Sequence, residues 1–155
     1  MAWIRKKKRY NKPRNIYDKV RIEEENKLIK EYGLKNKREI WKAEFAIEKI
    51  RNQAKKLITA EPEEQKKLFD KLNKLGFKVE KIADILALNK EDWLKRRLQT
   101  IVHKKFANTP KQARQWIVHK HVKINGKAVN VPSYIVKVDE EDKISVDNKL
   151  LKKGE

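Results

Sequence analysis

The sequence lacks cysteine and has few of the residues that form tight turns. Of its 155 residues, four are Gly and four are Pro. Without Cys the chain can form neither disulfides nor thiolate metal sites. A turn-rich all-β fold usually contains more Gly and Pro than this, so the composition favours a largely helical chain.

Long apolar segments are missing as well. No run approaches the roughly 18 apolar residues that a membrane-spanning helix needs. The first residues, MAWIRKKKRYNKPR, lack the apolar region of a signal peptide. The sequence therefore predicts a soluble, intracellular protein.

Acidic residues are outnumbered, with 22 Asp and Glu against 41 Lys and Arg, which gives a formal net charge of +19. Such a surplus opposes compaction unless an anionic partner neutralises it. Nucleic acid is the obvious partner, because cationic side chains that contact phosphates release counterions. A membrane surface is the competing anion. Only nine of the cations are Arg, whose planar group makes two-pronged contacts, so the Arg positions are the better candidates for specific contacts.

The first 14 residues hold seven cations and no acid, interleaved with Trp3, Ile4 and Tyr10. This pattern fits either a disordered, solvated tail or a basic arm that orders on RNA. Because the remainder of the chain is basic too, we favour the arm. Its predicted RNA-binding residues are Arg5, Lys6, Lys7, Lys8, Arg9, Tyr10, Lys12 and Arg14.

Apolar residues spaced by three or four predict three helices in the first half, over about 20–32, 40–57 and 62–75. Asn36 and Glu39 have the spacing of a reciprocal capping box before the second of them. Acidic residues cluster where these helices begin, which favours the helix dipole rather than a catalytic role.

A further helix is predicted after Asn89, with Asp92 as the reciprocal capping residue and an apolar stripe from Leu94 to Val102. Projection at 100° per residue places cations, amides and a histidine together on the opposite side. That predicted contact face consists of Arg96, Gln99, Thr100 and His103, with Arg97 and Lys104 on its flank.

The stretch ANTPKQARQWIVHKHVKING predicts a short helix that runs directly into a hairpin. Thr109 is a good N-cap, Pro110 suits the first helical position, and Gln112 completes a capping box. The side predicted to face the core carries Ala113, Trp116 and Ile117. The side predicted to face outward carries Lys111, Arg114, Gln115, Val118 and His119.

Asn125–Gly126 is typical of a two-residue hairpin turn, whose strict form sets Ile124 opposite Lys127. The predicted strands are 122–124, 128–131, 134–138 and 143–146, the last two joined by an acidic loop at 139–142. The chain is thus predicted to be α+β, with a helical first half followed by two short helices packed on a small, mainly antiparallel sheet. The predicted boundaries are a basic arm at 1–20, a helical domain at 21–93, an RNA-binding domain at 94–148 and a tail at 149–155.

RRLQTIVHKKFANTPKQARQWIVHKHVKINGKAVNVPSYIVKV resembles the S-four RNA-binding domain family in the order of its Arg-Arg-Leu, Gln-Ala-Arg, His-x-His-Val, Asn-Gly-Lys and Pro-Ser-Tyr motifs. The first half is similar to the S-four family of small-subunit ribosomal proteins in its archaeal and eukaryotic form. The matching segments are Arg14–Asp18, Tyr32–Trp41 and Arg51–Ala54. Two positions depart from the family: Lys120 stands in place of a helix-ending Gly, and Lys104–Phe106 replaces a run that normally carries Gly.

The resemblance implies a structural constituent of the small ribosomal subunit, located in the cytoplasm. It implies a primary rRNA-binding protein that binds the 5′ domain of small-subunit rRNA early in assembly, near a multi-helix junction. It also implies the S-five protein as a neighbour and a contribution to translational accuracy. We expect no cofactor, no small-molecule substrate and no membrane partner. The contact residues that the resemblance implies are Arg96, Arg97, Gln99, Thr100, Pro110, Lys111, Gln112, Arg114, Gln115, His119, His121, Lys123, Asn125, Gly126 and Lys127.

Other functional classes are less well supported. His103, His119 and His121 are the only histidines, and without Cys they favour RNA contact or surface exposure over a metal site. We find no triad order, no phosphate-cradling Gly-rich loop and no carboxylate pair in an apolar setting, so we expect no enzyme. A helix-turn-helix DNA regulator would need a dimer interface, for which no apolar stripe is spare. A stand-alone RNA-binding factor of the same domain family is the remaining alternative.

Overall fold

The structure, a computed structural model, describes residues 9–147. The predicted contacts Arg5, Lys6, Lys7 and Lys8 and the predicted tail at 149–155 lie outside the described residues. The helices are α1 (Lys19–Tyr32), α2 (Lys37–Leu57), α3 (Pro62–Lys74), α4 (Ile82–Ala87), α5 (Lys90–Lys95), α6 (Leu98–Lys105), α7 (Pro110–Val118) and α8 (Val138–Glu141). The strands are β1 (Val122–Ile124), β2 (Lys127–Ala128) and β3 (Ile144–Val146). The predicted α+β class is confirmed.

The three helices predicted in the first half are confirmed, and α1 shows how their ends are formed. Asp18 caps α1 by accepting a hydrogen bond from the backbone N–H of Arg21 at 3.5 Å. The helix ends at Gly33, which adopts the left-handed conformation with φ 60° and donates its N–H to the carbonyl of Ile29. This backbone conformation favours Gly, because a side chain would crowd the neighbouring carbonyl.

The predicted reciprocal capping box at Asn36 and Glu39 is wrong. Asn36 occupies the N-cap position of α2, but its side chain makes no capping hydrogen bond. Glu39 accepts a bond from the backbone N–H of Lys35 at 3.3 Å, and its carboxylate is also held by Arg97 and Arg114. Charge-assisted bonds to guanidinium groups are stronger than a bond to a cap amide, which explains where this side chain points.

The single helix predicted after Asn89 is broken into α5 and α6. Its start is as predicted, since the carboxylate of Asp92 accepts the N–H of Asn89 at 2.9 Å. At Arg97, however, the backbone is extended and pairs with Ile135 in an isolated antiparallel bridge. The N–H of Leu98 donates to the carbonyl of Tyr134 at 2.7 Å, so long-range pairing replaces the local helical bonds at this point.

The sheet has the strand order β2-β1-β3 and both pairings are antiparallel. Ile124 lies opposite Lys127, so the predicted hairpin register is confirmed. Asn125 and Gly126 have φ values of 52° and 77°, which is the geometry of the turn that matches the twist of a two-residue hairpin. The predicted strand near the C-terminus is confirmed as β3.

Two predicted strands are corrected by the structure. The strand predicted at 128–131 is reduced to Ala128, the last residue of β2. The strand predicted at 134–138 is wrong, because only Ile135 pairs, and it does so as a single bridge to Arg97. The predicted acidic loop forms α8 instead, whose first turn carries Asp139, Glu140 and Glu141 close to the positive end of the helix dipole.

Most buried apolar residues within residues 9–147 belong to three apolar clusters. The largest lies beneath α6, α7 and the sheet and contains Leu98, Ile101, Val102, Ala107, Ala113, Trp116, Ile117, Val122, Ile124, Val136, Ile144 and Val146. The second joins α1, α2 and α5, and the third lies between α2, α3 and α4. The prediction that Ala113, Trp116 and Ile117 face the core is confirmed. Within residues 9–147 no helix combines the length and apolarity required to cross a bilayer.

Gly33 offers a test of the packing between the helical half and α7. A methyl group added there would lie 2.7 Å from Cβ of Pro110, whereas one added at Gly126 would meet nothing within 4 Å. Both positions have positive φ, so both alanine variants carry backbone strain, but only Gly33→Ala adds a clash. We expect Gly33→Ala to lower the free energy of unfolding by about 2–4 kcal/mol and Gly126→Ala by about 1 kcal/mol. Urea unfolding measures both, and equal losses would contradict the close packing.

Candidate RNA-binding surface

The outward side of α7 and the hairpin that follows carry exposed polar residues. Those predicted for RNA contact and found exposed are Lys111, Gln115, His119, Lys123, Asn125, Gly126 and Lys127. Because α7 leads into β1 within a few residues, and both pack on one apolar cluster, these side chains are carried by a single rigid unit. We call this set the α7–hairpin surface.

Lys123 of this surface and the neighbouring His121 are already paired with an acid. The carboxylate of Asp147 lies 3.1 Å from Nζ of Lys123 and 3.1 Å from Nδ1 of His121. The hydrogen bond from Lys123, followed by the bond from His121, lowers the pKa of Asp147 below its ordinary value. A phosphate that approaches Lys123 therefore has to compete with an internal carboxylate.

Lys120 joins α7 to this strand in a conformation that favours Gly. Its φ is 63°, so the left-handed helix end that the resemblance assigns to Gly is adopted by Lys. For a residue with a side chain this costs on the order of 1 kcal/mol. The side chain is exposed and adds a cation next to the α7–hairpin surface.

The exposure predicted for the contact face on α6 is wrong for three of its residues. Arg97, Gln99 and Thr100 are buried, with 3%, 1% and 6% of their surface exposed. Thr100 donates its hydroxyl to the carbonyl of Leu94 at 2.7 Å. The projection placed Gln99 and Thr100 on the same side of α6, but that side is covered by other parts of the protein, since Gln99 contacts the end of α1 and the start of α7. Of the predicted group, Lys104 is exposed and His103 is half-buried.

Arg96 is likewise engaged within the protein. It donates to a carboxylate oxygen of Glu141 at 2.8 Å and to the carbonyl of Val136 at 2.8 Å. Its guanidinium also packs against Gly76, where an added methyl group would lie 2.5 Å from Cζ. Arg96 therefore fixes α8 against the end of α3, and its donors point into the protein.

Glu39 connects the two halves of the chain. Its carboxylate lies 2.6 Å from Nη2 of Arg97 and 2.9 Å from Nη2 of Arg114. Arg114 also donates to the side-chain oxygen of Gln99 at 3.2 Å, so the prediction that Arg114 points outward is wrong. We call Glu39, Arg97, Gln99 and Arg114 the Glu39 junction.

Gln99 extends this junction to three backbone carbonyls. Its amide nitrogen donates to Tyr32 at 3.1 Å, to Gly33 at 2.9 Å and to Pro110 at 3.0 Å. A buried amide with its donors and acceptor satisfied is a stabilising feature, because an unsatisfied one would be costly. The predicted contact residues Gln99 and Pro110 are thus part of the joint between the halves.

The predicted capping role of Gln112 is confirmed in part. Oγ1 of Thr109 accepts the N–H of Gln112 at 3.2 Å, as expected of an N-cap. The side chain of Gln112, however, accepts the N–H of Asn108 at 3.2 Å rather than that of Thr109. Gln112 therefore contributes to the start of α7 and presents only part of its surface to solvent.

A second basic region lies in a cleft of about 630 Å³ between α2 and the second half. Three exposed cations line it: Arg9 of the predicted arm, and Lys42 and Lys49 of α2. We call these three residues the basic cleft. Sequence reasoning did not include Lys42 and Lys49 in the site, although their spacing of seven residues on the outer side of α2 was the available signal.

In the described part of the predicted arm, some side chains are exposed and others contact the protein. Lys12 and Arg14 are exposed and remain candidate phosphate contacts. Tyr10 is stacked on Trp41 with ring centroids 6.2 Å apart, so the protein itself occupies one of its faces. His119 and His121 are also stacked, at 6.3 Å. Among residues 9–147, no group of His, Asp or Glu side chains is arranged to hold a metal ion.

Comparisons with known proteins show the family of the chain. Residues 96–144 match the S4 domain family. A relative named small ribosomal subunit protein uS4, from Methanococcus aeolicus, is 47% identical over 146 residues, which cover 89% of this chain and 82% of the relative. Proteins of the same name from Saccharolobus islandicus and Methanothermobacter thermautotrophicus are 48% and 43% identical, each over 89% of this chain and over 81% and 85% of the relative. The chain belongs to the uS4 family of small ribosomal subunit proteins.

The Glu39 junction predicts a large effect of a small change. Glu39→Gln removes the charge that neutralises Arg97 and Arg114 but keeps nearly the same shape. We expect the free energy of unfolding at pH 7 to fall by about 3 kcal/mol, the lower end of the cost of breaking a buried ion pair, because Arg114 is still 25% exposed. Glu48→Gln, an exposed position on the same helix, is the matched control and should change stability by less than about 0.5 kcal/mol.

Wild type and Glu39→Gln, compared over a range of pH, test whether this loss of stability is electrostatic in origin. Burial raises the pKa of Glu39, but hydrogen bonds from Arg114 and Arg97 and their charges outweigh burial and lower the pKa below its ordinary value. A group with a lowered folded pKa stabilises the fold above its unfolded pKa and loses that contribution as pH falls through the folded value. The stability difference between wild type and Glu39→Gln should therefore shrink as pH falls below about 4.3. A difference that is constant from pH 7 to pH 3 would contradict the ion-pair explanation.

Proposed function

We propose that this member of the uS4 family is a primary rRNA-binding protein that binds the 5′ domain of small-subunit rRNA and nucleates its assembly. The chain is a structural constituent of the small ribosomal subunit, where it binds rRNA in the cytoplasm, and it is not an enzyme. The observation that carries this conclusion is the 47% identity to a small-subunit protein over 89% of the chain. The net charge of +19 gives the physical reason, because rRNA is the polyanion that such a surplus requires.

The exposed cations suggest how the rRNA is held. The α7–hairpin surface contributes Lys111 and Lys127, and the basic cleft contributes Arg9, Lys42 and Lys49. Most of these are Lys, whose ammonium groups neutralise phosphates without demanding a fixed geometry. Such contacts position an RNA backbone, and the neighbouring amides and His119 can add hydrogen bonds.

The Glu39 junction gives these two regions a fixed relation. It ties α2, which carries Lys42 and Lys49, to α7, which carries Lys111. A binding surface that is ordered before RNA arrives loses less conformational entropy on binding. This preorganisation favours a protein that binds folded rRNA early, when few other contacts exist.

Three finer parts of the proposal are supported by the family resemblance alone, and the first is the 5′ domain as the place where the chain binds and nucleates assembly. We propose that the S-five protein is a neighbour in the subunit and that the chain contributes to translational accuracy. The alternative is a stand-alone factor that carries the same domain. The length of the similarity favours the ribosomal role, because a shared S4 domain would account only for residues 96–144.

Lys111→Ala and Lys127→Ala test the α7–hairpin surface. Each should weaken binding to small-subunit rRNA and reduce the slope of log affinity against log salt by about 0.7–0.9 for each phosphate contact that is lost. Neither should alter the melting temperature, since both side chains are exposed. Filter binding at several salt concentrations provides the measurement. Lys66→Ala, an exposed cation on α3, is the matched control, and a slope change there as large as at Lys111 would contradict the assigned surface.

Gradient sedimentation separates a ribosomal constituent from a stand-alone factor. Tagged protein expressed in its own cells should sediment with small subunits in a one-to-one ratio. A factor would be found mostly in free fractions. In parallel, equal affinity of the purified chain for small-subunit rRNA and for random duplex DNA would contradict specific rRNA binding.

A further inference from the structure

Tyr17 is unlike the other aromatic side chains of the protein. Its surface is 92% exposed, and it is the only Phe, Trp or Tyr between residues 9 and 147 whose side chain is not at least partly buried. Large aromatic groups normally gain stability by leaving water. Because Tyr17 is left in solvent, its contacts reveal no role in folding, and this points to a role in binding.

Packing at the start of α1 does not explain why a Tyr occupies position 17. Tyr17 directly precedes Asp18, the N-cap of α1, and a hydrophobic residue there often packs against the fourth helical residue, here Ile22. With 92% of its surface exposed, Tyr17 makes no such packing contact. The neighbouring Ile16 and Val20 are exposed too, at 61% and 68%. The apolar residues around the start of α1 are therefore directed to solvent as a group.

The backbone that carries Tyr17 is nevertheless fixed on both sides. Nη2 of Arg21 donates to the carbonyl of Ile16 at 3.1 Å. On the other side, Asp18 accepts the backbone N–H of Arg21 at 3.5 Å, and its carbonyl accepts the N–H of Ile22 at 3.0 Å. The ring thus extends from a held turn and has only two side-chain torsions to order, which keeps the entropic cost of binding low.

The surroundings of Tyr17 are basic and concave. Residues 14–18 line a shallow cavity of about 570 Å³ to which Arg14 contributes a guanidinium group. From Arg9 to Arg21 the chain has five cations and a single acid, Asp18, whose carboxylate already caps α1. An exposed aromatic ring among cations matches the chemistry of an unpaired nucleotide, which offers a flat base to stack and a phosphate to neutralise.

We propose that Tyr17 is a stacking site for one unpaired base of the rRNA, with Arg14 placed to contact a phosphate beside it. The inference rests on the proposed rRNA-binding function and adds that part of the bound RNA is single-stranded. A protein partner would also fit exposed apolar residues, but Arg14 in the same cavity and the basic sequence on both sides of it favour RNA. Tyr10 cannot take this role as readily, because it already stacks on Trp41.

Substitutions at Tyr17 test stacking directly, with a full-length small-subunit rRNA transcript as the probe. Stacking of one base on an aromatic ring contributes about 1–3 kcal/mol, so Tyr17→Ala should weaken binding about 5- to 150-fold. Tyr17→Phe keeps the ring and should bind within about twofold of wild type, while Tyr17→Leu keeps apolar surface without a flat ring and should resemble the Ala variant. The salt slope of Tyr17→Ala should equal that of wild type, because no charge is removed.

The matched control is Ile58→Ala, which alters an apolar side chain, 53% exposed, at the end of α2. It should leave rRNA affinity unchanged, and all four variants should melt at the wild-type temperature. Unchanged affinity of Tyr17→Ala would overturn the inference, and poor incorporation of that variant into subunits would then indicate a protein-docking surface instead. Tyr17→Leu binding as tightly as Tyr17→Phe would overturn stacking as well. If wild type itself prefers rRNA no more than duplex DNA, the proposed function fails, which is a separate outcome.

Discussion

The carboxylate of Glu39 is shared by the guanidinium groups of Arg97 and Arg114, and the relation between the two halves depends on this contact. Glu39 belongs to the first turn of α2, whereas the two Arg residues belong to the S4 domain. Gln99 reinforces the contact by binding the end of α1 and the start of α7 with one amide group. Since the charges are largely removed from water, each depends on the others for compensation. The halves are therefore joined by a polar network and not by a shared apolar core alone.

In this protein, residue type alone does not show whether a side chain is exposed for RNA or bonded within the fold. Arg and Gln are the residue types expected to read RNA, yet Arg96, Arg97 and Gln99 act inside the fold, and Arg114 does so in large part. The exposed positions left for phosphates are mainly Lys, on α7, on the hairpin and on α2. Arg is suited to buried networks because its planar group forms several directed bonds at once. The exposed cations of this surface are thus mainly Lys, and the Arg residues beneath them make bonds within the fold.

Local sequence signals predicted the elements that depend on local chemistry. The helix start at Thr109, the register at Asn125–Gly126 and the inward side of α7 followed from capping, turn geometry and periodicity. The break at Arg97 could not be predicted in this way, because it depends on pairing with Ile135, which is distant in sequence. The burial of Gln99 could not be predicted either, because the end of α1, which covers its side chain, is distant in sequence. Lys42 and Lys49 were missed because a charged outer helix face is common and becomes a site only when a cleft forms beside it.

At Lys120 the preference of the backbone conformation and the charge of the surface favour different residues. The turn after α7 has a backbone conformation for which Gly is the least strained residue, and the chain places a Lys there at φ 63°. A Gly would relax the turn but would leave the junction of α7 and β1 without an ammonium group. At this position the conformational preference of the backbone yields to the electrostatics of the surface. At position 120, Gly would therefore give the more stable turn, whereas Lys gives the stronger attraction for a polyanion.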